Sequence, residues 1–182
     1  GIFLFRTKEL LWYYHDGASR IFPDMWEKFI APIPKKGQGD LIKAYHKRLT
    51  SKNKKQRLTA ARAWSIWEGS TSKLFPDKDL MAHFGKDTLA EACARIECHY
   101  FIHKGFLKDE QQLLRNVKKI RHIPGVIVQG RYDVVCPIES AWELHRAWPK
   151  SKLIIVPDAG HSVSEKGTTS ALVEATDRFA KM

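Results

Sequence analysis

The spacing of apolar residues changes once along this chain, and the change limits the folds that the chain can adopt. From about residue 8 to residue 119 the apolar positions recur at helical intervals, interrupted by short segments rich in proline, glycine and charge. After residue 122, two β-branched runs, within "PGVIVQG" and "SKLIIVPDAG", alternate with two amphipathic helical segments. A strand–helix–strand–helix order is typical of a parallel sheet with crossover helices. The sequence therefore predicts an α/β fold that carries an all-helical insertion.

The first residues add one more predicted element. "GIFLF", where the chain begins, is a short apolar run typical of a buried strand. We therefore expect a strand of the sheet over residues 1–7, the helical insertion over residues 8–119, and the remaining part of the sheet over residues 120–182. With 182 residues, of which 43% are hydrophobic, the chain is large enough to bury the core of such a protein.

Composition argues against several classes of protein and site. The apolar runs are too short to span a bilayer and the first residues lack the pattern of a secretory signal, so no membrane partner is expected. Three scattered cysteines predict reduced thiols and a cytoplasmic location. Cys93, Cys98 and His99 lie close in sequence, but no second cluster completes a metal site. We expect neither a metal nor an organic cofactor.

The chain carries a net charge of +11, from 31 basic and 20 acidic side chains, and much of the excess lies in residues 35–57. Asp40 is the only acid in this basic stretch, which could neutralise phosphates or an acidic protein. Its one aromatic residue, Tyr45, falls on the apolar side of the predicted helix, whereas nucleic-acid binders add rings that stack on bases. The pattern therefore favours a solvated helical surface, and no nucleic-acid partner is expected. The alternative is a non-catalytic module that binds an acidic partner through this surface.

Two polar side chains follow the two predicted strands of the second half. Asp133 comes after "VIVQG" and His161 after "LIIVPDAG", so both lie at the carboxyl ends of strands, where the working groups of α/β sheets cluster. A carboxylate that accepts from one imidazole nitrogen fixes the tautomer and leaves the other nitrogen as a base. Either residue alone would suit a helix cap or a loop. Together, in the order Asp then His, they indicate a triad whose nucleophile comes first in the chain, as in α/β-hydrolases.

Six segments give the sequence a closer resemblance to one family. "GRYDVVCP", "AWELHRAWP" and "VPDAGHS" resemble the last part of the proline iminopeptidases, which are serine peptidases of the α/β-hydrolase class. "FRTKELLWYYHDGASRIFPDMWEKF", "ARAWSIWEGS" and "ARIECHYF" are similar to further signatures of that family, so the resemblance covers essentially the whole chain. Cys98 departs from the family, which typically has an asparagine there. The resemblance implies an α/β-hydrolase fold in which the helical insertion is a cap domain over the active site.

The same resemblance implies a serine aminopeptidase that releases N-terminal proline from peptides, with Asp133 and His161 in its triad. The family's nucleophile sits in a G-x-S-x-G elbow, and this sequence contains no such motif. In the family the elbow precedes a strand that resembles "GIFLF". We therefore expect this chain to be the C-terminal portion of a longer protein, whose missing N-terminal part supplies the serine, and to be inactive alone. Another ester or amide hydrolase of the same fold, acting on small molecules, is the alternative.

Two glutamates and one cysteine complete the candidate site. Glu68 and Glu97 each interrupt an apolar i, i+4 stripe of a predicted helix, which is costly for a carboxylate without a partner. A salt bridge with Arg62, Arg95 or another basic side chain is one interpretation. By resemblance to the family, the two glutamates instead bind the free α-amino group of the substrate. Cys136 would by the same resemblance line the pocket for the prolyl ring, and otherwise it is a small apolar residue packed in a turn.

Overall fold

The structure, a computed structural model, describes residues 1–181 and divides them into a helical unit and a sheet unit. The helical unit comprises Phe5–Thr71 and Pro76–Leu107. The sheet unit comprises residues 1–4, residues 72–75 and the chain from residue 108 onward. The chain therefore contributes three separate segments to the sheet unit, and the short segment 72–75 interrupts the helical unit.

Seven helices make up the helical unit, and a side-chain cap or a proline marks where several of them begin. They are α1 (Thr7–Tyr14), α2 (Ala18–Ile21), α3 (Pro23–Ile30), α4 (Leu41–Leu49), α5 (Lys54–Thr71), α6 (Lys78–Phe84) and α7 (Asp87–Ile102), with 3₁₀ turns at Lys35–Gly37 and Lys104–Phe106. The Asp40 carboxylate caps α4 by accepting from the main-chain nitrogen of Lys43 at 3.0 Å, and Asp77 caps α6 in the same way. Pro23 opens α3, where the proline nitrogen sacrifices no intrahelical hydrogen bond.

Aromatic side chains form the core of the helical unit. Trp64 and Trp67 of α5 are almost completely buried, as are Phe29 of α3 and Tyr45 of α4. The rings of Phe29 and Tyr45 stack with centroids 4.7 Å apart, and the Tyr45 hydroxyl donates to the main-chain oxygen of Phe29. Each ring of this kind buries about 150–250 Å² of surface. Because α5 packs against α3, α4, α6 and α7, the side chains along α5 are held in fixed positions.

The sheet unit contains the strand–helix–strand–helix order that the sequence predicts. Its elements are α8 (Gln112–Asn116), β1 (Gly125–Gly130), α9 (Ile138–Ala147), β2 (Ser151–Val156) and α10 (Lys166–Phe179). The two strands pair in parallel, from Gly125 opposite Ser151 to Gly130 opposite Val156, with α9 as the crossover between them. The predicted α/β class is confirmed. None of the helices in residues 1–181 is long and apolar enough to cross a membrane.

The strand predicted for residues 1–7 is not formed. Residues 1–6 have no regular secondary structure, and α1 begins at Thr7. Phe5 has a φ of 58°, in the left-handed region that an extended strand excludes. The main-chain N–H of Ile2 donates to the side-chain oxygen of Gln129 at 3.2 Å, which is not a bond of a strand ladder. The two units also differ from the predicted segments, since residues 108–119 lie in the sheet unit.

Candidate active site

Asp133 lies in the turn that leaves the carboxyl end of β1, and its side chain is fully buried. Its carboxylate accepts hydrogen bonds from the main-chain nitrogen of Cys136 at 2.8 Å and from Nε2 of Gln129 at 3.0 Å. Gln129 is itself fully buried in β1, and its Nε2 also donates to the main-chain oxygen of Cys136 at 3.0 Å. These donors replace the water that a carboxylate loses on burial, so the orientation of Asp133 is determined by the sheet unit.

His161 follows β2 and contacts this carboxylate. Its Nδ1 lies 3.1 Å from each carboxylate oxygen of Asp133, and its side chain is 31% exposed. An ionised carboxylate only accepts hydrogen bonds, so this contact favours the tautomer with the proton on Nδ1. The other nitrogen, Nε2, is then an acceptor. An imidazole held in this way can take a proton from a nucleophile and return it to a leaving group.

Two glycines allow close approaches of the turn after β2, one to the turn after β1 and one to segment 72–75. A Cβ atom on Gly130 would overlap the main-chain oxygen of Gly160, and a Cβ on Gly160 would lie 2.9 Å from the main-chain nitrogen of Leu74. Both contacts are with backbone, which cannot move aside as a flexible side chain can. Only glycine therefore fits at either position. The close approach of the two backbones brings Asp133 and His161 within hydrogen-bond distance.

The loop that carries His161 is fastened to segment 72–75. The main-chain oxygen of Ser72 accepts from the main-chain nitrogens of His161 at 2.9 Å and Ser162 at 2.8 Å. The carboxylate of Glu165 accepts from the main-chain nitrogen of Gly160 at 2.8 Å and from that of Leu74 at 3.0 Å. Three hydrogen bonds thus hold the main chain of residues 160–162, and the fourth joins the Glu165 side chain to segment 72–75.

Glu68 is half-buried on α5, among aromatic and acidic neighbours. Its Oε1 accepts a hydrogen bond of 2.5 Å from the hydroxyl of Tyr14, whose ring stacks on Trp64 with centroids 4.6 Å apart. Burial and the nearby charge of Glu97 raise the pKa of Glu68 well above its ordinary value, against the opposite effect of the hydrogen bonds from Tyr14 and Tyr13. Burial together with the two glutamates also raises the pKa of Tyr14, which keeps its hydroxyl protonated as a donor.

Glu97 lies on α7, the helix that packs most extensively against α5. Its Oε2 accepts from the indole nitrogen of Trp64 at 2.8 Å. Trp64 lies one helical turn before Glu68, so the two glutamates of adjacent helices face the same part of the helical unit. Two carboxylates this close repel each other when both are ionised, and a bound cation would relieve the repulsion.

The arginines that could have neutralised these glutamates pair with other acids. Arg62 contacts Asp87 at 2.5 Å, and Arg95 lies 3.5 Å from Glu91. Both pairs include well-exposed side chains. The salt bridges that the sequence suggested as an alternative for Glu68 and Glu97 are therefore not made by these two arginines.

The three cysteines differ in their surroundings. Cys136 is half-buried and holds Asp133 through its main-chain nitrogen, while Cys93, also half-buried, and the buried Cys98 both lie on α7. Burial, with a smaller effect of Glu97, raises the pKa of Cys98 to about 12, so its thiol stays protonated. Within residues 1–181 no group of three or more histidine, cysteine, aspartate or glutamate side chains is arranged to hold a metal ion.

The structure brings the predicted site residues together as two separate groups. Asp133, His161 and the main chain of Cys136 meet in the sheet unit, and Glu68 and Glu97 meet in the helical unit. Sequence reasoning missed three supporting residues, Tyr14, Gln129 and Glu165. Gln129 carried a usable signal, because a polar residue at the end of the apolar run "VIVQG" needs a buried partner. Tyr14 and Glu165 carried none, because both stand among ordinary helix and loop residues.

Residues 84–181 match a family model described as "TAP-like protein", a family of α/β-hydrolases. The match covers α7 and nearly all of the sheet unit that follows it. It therefore includes Glu97, Asp133, Cys136 and His161, while Glu68 precedes it.

Curated relatives match nearly the whole chain. It is 61% identical over 179 residues to a protein of Leptolyngbya boryana named "Probable proline iminopeptidase", a match that covers 98% of this chain and 56% of that protein. It is 55% identical over 179 residues to the "Proline iminopeptidase" of Xylella fastidiosa, covering 98% of this chain and 57% of that protein. The "Proline iminopeptidase" of Arabidopsis thaliana is 50% identical over 180 residues, with coverages of 98% and 47%. The chain thus spans about half the length of the relatives that it matches.

Proposed function

Because the chain belongs to the TAP-like family of α/β-hydrolases, we propose that it forms the cap and the C-terminal catalytic part of a serine aminopeptidase that releases N-terminal proline from peptides. We infer the reaction from the names of the relatives that the chain matches. One observation carries the chemistry: Nδ1 of His161 lies 3.1 Å from both oxygens of the buried Asp133, beyond the ends of two parallel strands. In this proposal the helical unit is the cap domain, and the sheet unit belongs to the hydrolase core.

The nucleophile is a serine outside this chain, because no serine of the chain stands in a G-x-S-x-G elbow. The serine oxygen attacks the carbonyl carbon of the N-terminal proline while Nε2 of His161 accepts the hydroxyl proton. Asp133 stabilises the resulting imidazolium through Nδ1–H. The C–N bond to the next residue then breaks, and the imidazolium returns its proton to the leaving amine. Water, deprotonated by the same imidazole, finally attacks the acyl-enzyme and releases proline.

Recognition of the substrate amine falls to the helical unit. An N-terminal prolyl residue carries a secondary ammonium, and Glu68 with Glu97 offers two carboxylates that repel each other until a cation binds. A charge-assisted hydrogen bond to each carboxylate would select peptides with a free amino terminus over those without one. Cys136 would line the pocket for the prolyl ring, since its main chain holds Asp133 and its side chain is half-buried.

A reducing compartment suits the thiols of this chain. Cys93, Cys98 and Cys136 form no disulfide within residues 1–181. Thiols persist in reducing compartments such as the cytoplasm. We therefore propose a cytoplasmic protein, which fractionation of cells with an antibody to the chain would test.

Release of proline from a chromogenic prolyl amide tests the proposed reaction. We expect turnover by the protein that carries its native preceding sequence, and none by the 182-residue chain alone. Turnover by the isolated chain that His161→Ala abolishes would show that a serine within the chain is the nucleophile. Turnover of acyl esters with no preference for a free prolyl amine would favour a different small-molecule hydrolase of the same fold.

A further inference from the structure

A groove of about 950 Å³ in the helical unit gathers much of the positive charge of the basic stretch. It is lined by residues from the 3₁₀ turn Lys35–Gly37, from α4 and from the beginning of α5. We call it the cationic groove, after the four cations among its lining residues, Lys36, Lys43, Lys47 and Arg48. A smaller cleft of about 280 Å³, lined in part by Lys55, shares Arg48 with it and extends the positive surface.

The positive charge of the groove is offset only in part by the protein, since Asp40 is the one acid among its lining residues. Within residues 1–181 none of the four forms an ion pair. Asp40, the acid in the lining, is already engaged in capping α4 through the main chain of Lys43. Arg57, at the end of the same basic stretch, does pair with Glu91, at 2.5 Å. Like charges that lie close together without a counter-charge are stabilised when an anion binds.

The frame of the groove is held by main-chain interactions. Nε2 of Gln38 donates to the main-chain oxygen of Ile33 at 2.9 Å, and the main-chain nitrogen of Gly37 donates to the main-chain oxygen of Pro34 at 2.7 Å. Ile33, Pro34 and Ala44 also line the groove, so apolar surface lies between the cations. Such a surface fits a ligand that presents both negative charge and an apolar group.

We propose that the cationic groove binds an acidic segment of a partner protein, with its carboxylates on Lys43, Lys47 and Arg48 and an apolar side chain against Pro34 and Ala44. Three of the four cations are lysines, whose ammonium groups bind carboxylates as point charges. His46 is the only aromatic ring among the lining residues, and Tyr45 is fully buried, so the groove offers no platform on which bases stack. None of the proposed catalytic or amine-binding residues lines the groove, and the binding is separate from hydrolysis.

The test measures binding of a short fluorescent peptide rich in glutamate and leucine to the full-length protein by anisotropy. We expect binding that weakens as salt is added and that falls by about tenfold or more in Lys43→Glu/Lys47→Glu, since two attractive contacts become repulsive. The matched control is Lys118→Glu/Lys119→Glu, which changes the net charge equally in the sheet unit and should bind within about twofold of the unaltered protein. Hydrogen exchange should show protection of residues 33–48 by the peptide.

Three results would overturn the proposal. Equal weakening in both double variants would mean that the peptide responds only to net charge. Absence of binding by the unaltered protein at low salt would mean that the groove has no affinity for acidic peptides. Tighter binding of a single-stranded oligonucleotide, lost in Lys43→Glu/Lys47→Glu alone, would assign the groove to nucleic acid.

A second, independent observation concerns Glu165 in the sheet unit. Its two carboxylate oxygens accept from the main-chain nitrogens of Gly160 and Leu74, so this side chain links the residue before His161 to segment 72–75. From this geometry we infer that Glu165 is a positioning residue for His161, an inference that rests on the proposed function. Without it, the Ser72 oxygen would still hold the main-chain nitrogens of His161 and Ser162, but the main-chain nitrogen of Gly160 would lose this acceptor. A displacement of about 1 Å at a catalytic group can lower a rate by about a hundredfold.

Steady-state kinetics of Glu165→Gln and Glu165→Ala in the full-length protein test this role. Glutamine keeps one acceptor oxygen, so we expect kcat to fall by about tenfold in the glutamine variant and about a hundredfold in the alanine variant, with KM within about twofold. Glu174→Gln on α10, an exposed residue paired with Arg178, is the matched control and should leave kcat unchanged. A fall in thermal stability with unchanged kcat in Glu165→Ala would show a merely structural role.

The proton NMR signal of the Nδ1–H group of His161 separates this inference from the proposed reaction, because it needs no turnover. Glu165→Ala should shift and broaden that signal by loosening the contact of His161 with Asp133, whereas Glu174→Gln should not. An unchanged Nδ1–H signal in Glu165→Ala would overturn the positioning role. Failure of the unaltered protein to hydrolyse any prolyl amide would instead count against the proposed function alone.

Discussion

The sheet unit buries the carboxylate of Asp133, and the helical unit half-buries the carboxylate of Glu68 among different neighbours. Asp133 receives hydrogen bonds from Gln129 and Cys136 and contacts the imidazole of His161. Glu68 accepts a hydrogen bond from the hydroxyl of Tyr14 and lies near the carboxylate of Glu97. Burial and the charge of Glu97 raise the pKa of Glu68. In the proposed reaction, the histidine beside Asp133 becomes positive and is stabilised by that carboxylate. The carboxylate of Glu68 lies beside that of Glu97, an arrangement that suits the proposed recognition of a cationic substrate.

Removal of the His161 imidazole tests the role of the carboxylate in the sheet unit, and we expect it to have the largest effect on turnover. In the full-length protein we expect His161→Ala to lower kcat on a prolyl amide by about 10⁴-fold or more, because members of a triad act as a unit. The matched control is His145→Ala in the same unit, where Nδ1 of His145 lies 2.8 Å from the hydroxyl of Ser151. Comparable losses in the two variants, accompanied by unfolding, would mean that the assay reports the stability of the sheet unit.

Neutralisation of Glu68 or Glu97 tests the role of the carboxylates in the helical unit. Glu68→Gln or Glu97→Gln should lower kcat/KM on a prolyl amide by about 30- to 5,000-fold, which corresponds to about 2–5 kcal/mol for a truncated charge pair. Hydrolysis of a simple acyl ester, which carries no amine, should change little in the same variants. Glu91→Gln on α7 is the matched control, because Glu91 pairs with Arg57 and Arg95. A large fall in melting temperature with unchanged kcat/KM would show instead that the two glutamates are structural.

The pH dependence of stability sharpens the comparison, because it follows from the raised pKa of Glu68. The folded protein binds the Glu68 proton more tightly than the unfolded chain does, so this group stabilises the fold below its ordinary pKa of 4.5. That contribution is lost as the pH rises from 4.5 through the raised pKa. Glu68→Gln removes the titration, so its melting temperature should fall less between pH 5 and pH 8, by a few degrees for each kcal/mol recovered.

Calorimetry of the full-length protein and of Glu68→Gln at several pH values measures this difference. Glu91→Gln again serves as the control and should keep the pH dependence of the unaltered protein, since the Glu68 titration is intact in that variant. An identical pH dependence in Glu68→Gln and the unaltered protein would contradict the raised pKa.

The order of elements after residue 122 could be predicted from the sequence, because β-branched runs bounded by proline and glycine have few other structures available. The beginning of the chain could not. A short apolar run such as "GIFLF" has no periodicity that distinguishes a strand from irregular chain. Phe5 adopts a left-handed φ, which its side chain gives no reason to predict. The contact of segment 72–75 with the His161 loop could not be predicted from the sequence either. Ser72 makes this contact through its main-chain oxygen, which every residue has.

The candidate site shows the same limit. The contact of Asp133 with His161 follows from their places after two parallel strands, so chain order was enough to predict it. The approach of Glu68 to Glu97 depends on how α5 packs against α7, and only the resemblance to a family suggested a shared role. The contacts of Tyr14 with Glu68 and of Glu165 with Leu74 join residues that are far apart in sequence, so they arise only through tertiary folding.

The smallest effect is expected on the outer surface of the helical unit, where charge is abundant but exposed. Lys43→Glu/Lys47→Glu should leave kcat/KM on a prolyl amide within about twofold, because charges farther apart than about 10 Å are largely screened at moderate ionic strength. Half-buried Glu68 is less screened than these lysines, so the removal of a single charge there should matter far more than the reversal of two on α4. Kinetics at low and at physiological salt measure the difference. A loss of about tenfold or more that persists at physiological salt would show that the cationic groove contributes to substrate binding. The charge-bearing surface and the amine-recognising interior of the helical unit would then be parts of one site.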